Sequence, residues 1–258
     1  MLQRRQSLAR ICVAGTVFER ASVLIVRTKD VEMGALAAKS GDADLVIVQT
    51  DGSLPALEQI VDKLGGKRDS GPFERIRDIR YDPTKSKSIA ESTAAHPYHT
   101  DGTFETHQPV LFALQNVVSD QAGGGVNRFI SVHRMLDEMP KEFVIAIGQT
   151  PIRYSRIDDS GRTDEHVGPI LYRRGSGKYG LRWRDDEQVA PECSHSAHPQ
   201  IREALEWIRS HIATCTFFEH ATQKGECVIV NNDTVLHART ALSSTSSERW
   251  IRRVWIAE

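Results

Sequence analysis

The chain has 258 residues, enough to bury a sizeable core in one α/β or β-rich domain with at most an added lid. Its 33 basic and 34 acidic side chains leave a formal net charge of −1, which gives no bulk electrostatic case for nucleic acid or an anionic membrane as partner. No apolar run approaches the ~20 residues of a membrane span, and Met1-Leu2-Gln3-Arg4-Arg5 leads into no signal-peptide core.

Taken in chain order, residues 11–27 alternate loosely and end in Ser22-Val23-Leu24-Ile25-Val26, which reads as a strand. Residues 32–39 read as a short helix, and Leu45-Val46-Ile47-Val48 as a strand buried on both faces. Ser53 then caps a helix with Pro55 in its first turn, apolar positions at Leu57, Ile60, Val61 and Leu64, and Gly65-Gly66 at its end. Residues 65–84 are polar and broken by Gly71-Pro72. Residues 85–95 hold only Ile89 as a large apolar side chain, a composition suited to a mobile active-site loop. Next come a strand over 110–118, a turn over 120–125, a strand over 129–132 and a short helix over 133–139. Gly123-Gly124-Gly125 has no Lys-Ser/Thr partner and no long helix after it, so it reads as a hairpin turn rather than a phosphate cradle.

Short strands are predicted over 152–156, 170–173 and 179–184, and an amphipathic helix over 199–212 with Ile201, Leu205, Ile208 and Ile212 on one stripe. Residues 216–220, the turn at Lys224-Gly225 and residues 227–231 read as a hairpin leading to His237. Cys12, Cys193, Cys215 and Cys227 form no C-x-x-C pair, which predicts reduced thiols in a cytoplasmic protein and argues against structural zinc. Many short strands with a few covering helices predict a β-rich α+β fold, a double-stranded β-helix (jelly roll) with flanking helices, as a single domain over 1–258. There is no repeat, low-complexity tract or linker, and the oligomeric state is not legible.

The chemistry-bearing motif is His99-Thr100-Asp101 with His237 far downstream. Residues i and i+2 of a strand share a face, so His99 and Asp101 can reach one metal. With His237 they make a 2-His-1-carboxylate facial triad, the ligand set of mononuclear non-haem Fe(II), which leaves the opposite positions open. An H-x-D triplet also arises by accident among 10 histidines and 34 acids. Its context separates the two readings: apolar runs at 110–115 and 227–230, and an Arg-rich strand at 249–255, resemble the strands around a pocket mouth. His96 and His107 lack the carboxylate two residues on and read as loop residues or as residues that support the ligands from outside the set; His195 and His198 read as surface loop and helix cap.

With these residues in view, the chain from about Asp44 onward resembles the Fe(II)/2-oxoglutarate-dependent dioxygenases of the taurine dioxygenase and clavaminate synthase-like superfamily. Arg77-Asp78-Ile79-Arg80, His99-Thr100-Asp101 and Gly123-Gly124-Gly125 look like the γ-butyrobetaine hydroxylase branch. Glu248-Arg249-Trp250-Ile251-Arg252-Arg253 looks more like the clavaminate synthase branch. The resemblance implies Fe(II) on His99, Asp101 and His237, with 2-oxoglutarate as cosubstrate and O2 as oxidant. It also implies an Arg slightly more than ten residues past the distal His for the 5-carboxylate, and another four later near substrate. These positions match Arg249 and Arg253, and Arg252 is the competitor on the other face of the strand. Where many members place a Thr after the Gly-Gly turn, this chain has Val126 and Asn127, so Asn127 is the candidate amide donor. Ala238 stands where His-Gly-Arg is usual.

Tyr98, Phe104 and Arg182, the last within Arg182-Trp183-Arg184, are the candidate substrate contacts beside Arg253. Related halogenases replace the carboxylate ligand by Ala or Gly, so Asp101 points to a chloride-free outcome. The implied reaction is oxidation, in the first place hydroxylation, of a C–H bond in a small polar metabolite with release of succinate and CO2. An amino acid derivative or a biosynthetic intermediate fits. Desaturation, epoxidation, cyclisation and epimerisation remain open, as do another class of jelly-roll metalloenzyme and a non-catalytic small-molecule-binding jelly roll.

Overall fold

In the computed structural model, residues 15–41, 43–65, 76–85, 88–193, 199–245 and 247–257 are described. Strands β1 (Gly15–Arg20) and β2 (Val23–Thr28) pair antiparallel. Helix α1 (Val31–Ser40) starts on Asp30, whose carboxylate accepts from the N–H groups of Glu32 and Met33, and stops at Gly41 in the left-handed region. That helix is the crossover that lets β3 (Leu45–Gln49) lie parallel to β2. As its unbroken β-branched run predicts, Leu45 to Val48 are buried on both faces. Helix α2 (Leu54–Leu64) follows the sequence expectation residue by residue: Ser53 Oγ accepts from Ala56 N–H, Leu57, Ile60, Val61 and Leu64 are buried, and Gly65 ends it at φ 81°.

The chain continues through β4 (Arg77–Arg80), a 3₁₀ turn at Ile89–Glu91, β5 (His96–His99), β6 (Leu111–Val118) and β7 (Asn127–Ser131). Helices α3 (Val132–Glu138) and α4 (Lys141–Gln149) come next, then β8 (Ile152–Ile157), β9 (Thr163–Gly168), β10 (Leu171–Arg173), β11 (Tyr179–Leu181) and β12 (Glu192–Cys193). Helix α5 (Ile201–Thr214) precedes β13 (Phe218–His220), β14 (Glu226–Asn231), β15 (Val235–Arg239) and β16 (Trp250–Ile256).

Two sheets form the jelly roll: a seven-stranded one in the order β1-β2-β3-β14-β6-β16-β4, and a four-stranded one in the order β13-β7-β15-β5. Between them lies an apolar layer of Phe112, Phe129, Phe218, Val228, Val230 and Val235 with Ile25, Leu45 and Ile47. The outer face of the large sheet is covered by α1 and α2 through Ala37, Leu57, Ile60 and Val61. The outer face of the small sheet is covered by α3, α4 and α5 through Met135, Ile147, Leu205 and Ile208. Each such side chain contributes roughly 1.5–3 kcal/mol by leaving water, and the stacking holds the two sheets at a fixed separation. The site lies between them.

Two local expectations are corrected. The Gly-rich turn at 123–125 does not close a hairpin, because β6 belongs to the large sheet and β7 to the small one. Likewise β13 pairs with β7 while β14 pairs with β3 and β6, so the segment before His237 crosses between sheets. Turn residues dictate a chain reversal; they do not choose the strand's partner. Helix α4 and strand β9 were not expected. Phe143-Val144-Ile145-Ala146-Ile147 carries a β-type composition, and packing of Ala146 and Ile147 in the helical layer overrides that propensity. Among the described residues, no helix is long and apolar enough to cross a membrane, and Cys193, Cys215 and Cys227 are free thiols. Cys12 lies outside the described residues.

Candidate metal centre and adjoining pockets

β5 and β15 are neighbours in the small sheet, and His237 pairs directly with His99 across the ladder. Two residues of β15 then span three of β5, since Arg239 pairs with His96. This bulge sends His96 to the same face as His99, and their rings stack 3.7 Å apart. Asp101 lies just past the end of β5, in a turn rather than in the strand. Its place is set by side chains. Asp101 N–H donates to Asn232 Oδ1, and Asn232 Nδ2 donates back to the Asp101 and Pro109 carbonyls. Gln108 Nε2 donates to Thr100 Oγ1 and to the Asp101 carbonyl, and Tyr172 OH donates to Gln108 Oε1.

The result is one cluster: ligand-type atoms of His99, Asp101 and His237 all lie within 4.8 Å of one another, and all three residues are buried. Asp101 Oδ1 is 3.6 Å from His99 Nε2 and 3.7 Å from His237 Nε2. Donors about 2.1 Å from a metal and at right angles lie about 3.0 Å apart, and the two Asp101–histidine separations come within about 0.7 Å of that spacing. His99 Nδ1 faces the Pro97 carbonyl at 2.8 Å. A carbonyl only accepts, so Nδ1 carries a proton and Nε2 is the nitrogen that would face a metal. The residues present therefore fit a 2-His-1-carboxylate centre.

Electrostatics agree with a ligand role. Burial alone would raise the Asp101 pKa, but Arg253 and the adjacent His99 and His237 hold it well below the usual carboxylate range. Burial, then the proximity of His99, pushes the His237 pKa well below its ordinary value, which favours the neutral ring with one nitrogen open to a metal. Trp255 Nε1 donates to Asp101 Oδ2 at 2.7 Å, which leaves Oδ1 toward the histidines. Asn232, Gln108 and Trp255 escaped the sequence reading; only the short Asn231-Asn232-Asp233 turn before β15 hinted at one of them.

A small pocket of about 60 Å³ adjoins the triad, lined in part by Asn127, Arg239, Arg249, Ile251 and Arg253. Arg249 is 8% exposed, and among the described residues no carboxylate lies within ion-pair distance of it. Burial and the nearby Arg239 push its pKa down to about 9, while Asp120 opposes them. Gly125, at φ 69°, makes this possible: a Cβ there would sit 2.8 Å from Arg249 Cδ and Nε. The Gly-rich turn thus shapes a guanidinium site. Asn127 Nδ2 donates to Thr222 Oγ1 at 2.8 Å, which leaves its second amide hydrogen for a pocket ligand. Arg253 Nη1 is 3.4 Å from both Asp101 oxygens. Arg252 points the other way, donating to the Gly52 carbonyl and Gln115 Oε1, as the strand alternation predicts.

A cavity of about 610 Å³ opens on the other side of the triad, with Phe104, Glu105, Arg156, Arg184 and Trp255 in its walls. Phe104 therefore lies where expected. Tyr98 and Arg182 do not. Tyr98 packs with Phe104 and Leu136 against the helical layer, because it is adjacent to His99 on an extended strand and points away from it. Arg182 is 2% exposed and donates to the Gly102 and Thr103 carbonyls, holding the turn after Asp101, while Arg184 reaches the cavity instead. In the segment expected to be mobile, residues 89–94 are tied to the chain around β15: Arg239 Nη2 donates to the Ile89, Ser92 and Ala94 carbonyls, and Leu242 N–H to the Thr93 carbonyl. His107 is exposed, in keeping with its reading as a loop residue; His195 and His198 lie outside the described residues.

Comparisons with known proteins come to the same architecture. Residues 46–255 match the family model described as taurine catabolism dioxygenase TauD, TfdA family. A candidate alpha-ketoglutarate-dependent taurine dioxygenase from Burkholderia xenovorans superposes with TM-score 0.70 at 11% identity, over 95% of this chain and 93% of that one. Asparagine oxygenase in complex with Fe(II), 3-hydroxyasparagine and succinate gives TM-score 0.67 at 19% identity, over 88% and 78%. PvcB, an Fe, alpha-ketoglutarate-dependent oxygenase from an isonitrile synthetic pathway, gives 0.63 at 19%, over 90% and 85%. No curated protein matches by sequence. At these identities the structural likeness is one of fold.

Proposed function

We propose that this chain, which belongs to the TauD/TfdA dioxygenase family, is an Fe(II)- and 2-oxoglutarate-dependent oxygenase that oxidises a C–H bond of a small, amino-acid-like metabolite with release of succinate and CO2. One observation carries the reading. A buried 2-His-1-carboxylate cluster and a buried guanidinium with no carboxylate partner among the described residues line the same pocket. A cation of that kind is costly unless an anion enters with it, and a dicarboxylate that chelates the metal at one end brings one at the other.

His99, Asp101 and His237 would hold the ferrous ion. Arg249 would receive the 5-carboxylate, assisted by the free amide hydrogen of Asn127, with Arg253 at a shared anion or substrate position. When bound, the metal and 2-oxoglutarate supply O2 activation and the oxidising equivalents. The protein's own residues orient and enclose: Trp255 and Arg253 keep the Asp101 carboxylate ionised and aimed, and the strap of residues 88–94 tied to Arg239 screens the small pocket from water.

Phe104 and the charged walls of the larger cavity suit a polar substrate. Structural neighbours include an asparagine oxygenase with hydroxyasparagine and OrfP with (3S)-hydroxy-L-Arg, which supports an amino-acid-like one. Retention of Asp101 favours hydroxylation over halogenation, and free thiols fit a cytoplasmic enzyme working as one domain. The test is succinate release from 2-oxoglutarate with Fe(II), O2 and a panel of amino acids, with mass spectrometry for a product gaining one oxygen atom. Absence of iron binding, and of iron-dependent 2-oxoglutarate consumption with or without metabolite, would instead favour a non-catalytic binding protein.

A further inference from the structure

The larger cavity has a charge arrangement that the reading above does not use. Its arginines are already matched. Arg77 pairs with Glu91 at 2.9 Å, Arg156 and Arg162 each meet Asp164 at 2.9 Å, Arg184 meets Asp186 at 2.6 Å, and Arg253 lies 3.4 Å from Asp101. Asp78 accepts from Trp250 Nε1 at 2.6 Å. Lys85 is exposed at the rim. Among the described residues, that leaves Glu105 as the lining carboxylate with neither an ion-pair partner nor a side-chain hydrogen bond.

Glu105 sits on the turn that carries a proposed metal ligand. Its N–H donates to the Gly102 carbonyl, and that carbonyl is held in turn by Arg182. The turn is thus rigid, and it presents the carboxylate beside Phe104 only four residues from Asp101. Burial raises the Glu105 pKa and Asp164 raises it further, while Arg156, Arg182 and Arg162 oppose them from beyond ion-pair distance. A half-buried carboxylate with an acidic neighbour and no ion-pair or side-chain hydrogen-bond partner is poorly satisfied by the protein alone, and a bound cation would correct that.

We propose that the substrate bears a basic group, an ammonium or guanidinium, and that Glu105 is the residue that receives it. This rests on the oxygenase reading, and within the amino-acid-like substrates of that reading it names the residue that meets the ammonium or guanidinium. Phe104 does not compete for that role, because Arg156 and Arg184 already lie over its ring at 4.6 and 5.6 Å.

The experiment is anaerobic calorimetry on the full chain loaded with Fe(II) and 2-oxoglutarate, so that binding is read without turnover. The probes are L-arginine, L-lysine, agmatine and methylguanidinium, each set against a neutral or acidic counterpart that has neither ammonium nor guanidinium, such as Nα,Nε-diacetyl-L-lysine or N-acetyl-L-glutamate. At least one basic probe should bind, and Glu105→Gln should weaken it roughly tenfold or more, the loss of a charge-assisted contact. Glu105→Asp should retain part of the affinity, and the 2-oxoglutarate affinity should stay within about twofold in both variants. Preference for neutral or acidic probes, equal binding by Glu105→Gln, or no binding of any basic probe overturns the assignment. Failure of the wild-type chain to bind Fe(II) and 2-oxoglutarate overturns the oxygenase reading instead, and the same titrations on metal-free protein then decide for or against Glu105.

Discussion

Trp255, on the last strand of the large sheet, donates its indole N–H to the outer oxygen of Asp101, which belongs to the turn beyond the small sheet, at 2.7 Å. The bond joins the two sheets across the site and fixes which carboxylate oxygen faces the histidines. Trp255→Phe keeps the apolar body and removes the donor. Its Fe(II) or Co(II) affinity should fall about 10- to 100-fold, as is usual for loss of a ligand's supporting hydrogen bond, with little change in thermal stability. Unchanged affinity would show that the turn alone aims Asp101.

The ligand set is tested by deletion. His99→Ala and His237→Ala should each abolish iron-dependent 2-oxoglutarate consumption and sharply weaken metal binding. Asp101→Gly should lose substrate oxidation while the two histidines and the chelating cosubstrate hold iron weakly. Full activity in either histidine variant would end the assignment.

Arg249, just before β16, and Arg252 within it separate two registers of this segment. Arg249→Ala leaves a 5-carboxylate buried without a partner, a loss on the order of 2–5 kcal/mol. The apparent affinity for 2-oxoglutarate should drop by roughly thirtyfold or more, taking the low end of that range. Arg252, bonded to Gly52 and Gln115 on the outer face, should leave it nearly unchanged when replaced by Ala. The reverse result would shift the strand by one residue.

Acid sensitivity of the metal-free protein follows from two imidazoles. Burial, reinforced by neighbouring histidines, holds His96 and His237 well below their ordinary value of 6.5. Below that value the unfolded chain binds protons that the folded chain refuses, so stability is fully present above it and falls as pH drops. Each group contributes a slope of up to about 1.4 kcal/mol per pH unit. Urea unfolding between about pH 7.5 and about pH 5 should show the decline, and His96→Phe should flatten it by about one proton's worth. An identical slope in that variant would place the linked proton elsewhere.

Much of the site was legible because it depends on local rules. Alternation along a strand puts Arg249, Ile251 and Arg253 on one side and Arg252 on the other, and the structure has them so. Cap and stripe residues specified α2 almost to the residue. The spacing of His99, Asp101 and His237 indicated a shared metal, and all three meet in one buried cluster.

What the tertiary structure alone decided is which distant segments meet. The bulge between β5 and β15 turns His96 inward beside His99 while Tyr98 goes to the helical layer, and no property of His96-Pro97-Tyr98 encodes that partner strand. Arg184 rather than Arg182 reaches the cavity because the carbonyls of the turn after Asp101 capture the latter. Gly125 is not a hairpin residue but a space for Arg249, a side chain more than a hundred residues away. Trp255 and Asn232 hold Asp101 from β16 and from the turn before β15. Side-chain direction and chain reversal are set by neighbours within a few bonds and can be read from them. Partnership across sheets is set by the packing of two apolar faces, which no short stretch of sequence contains.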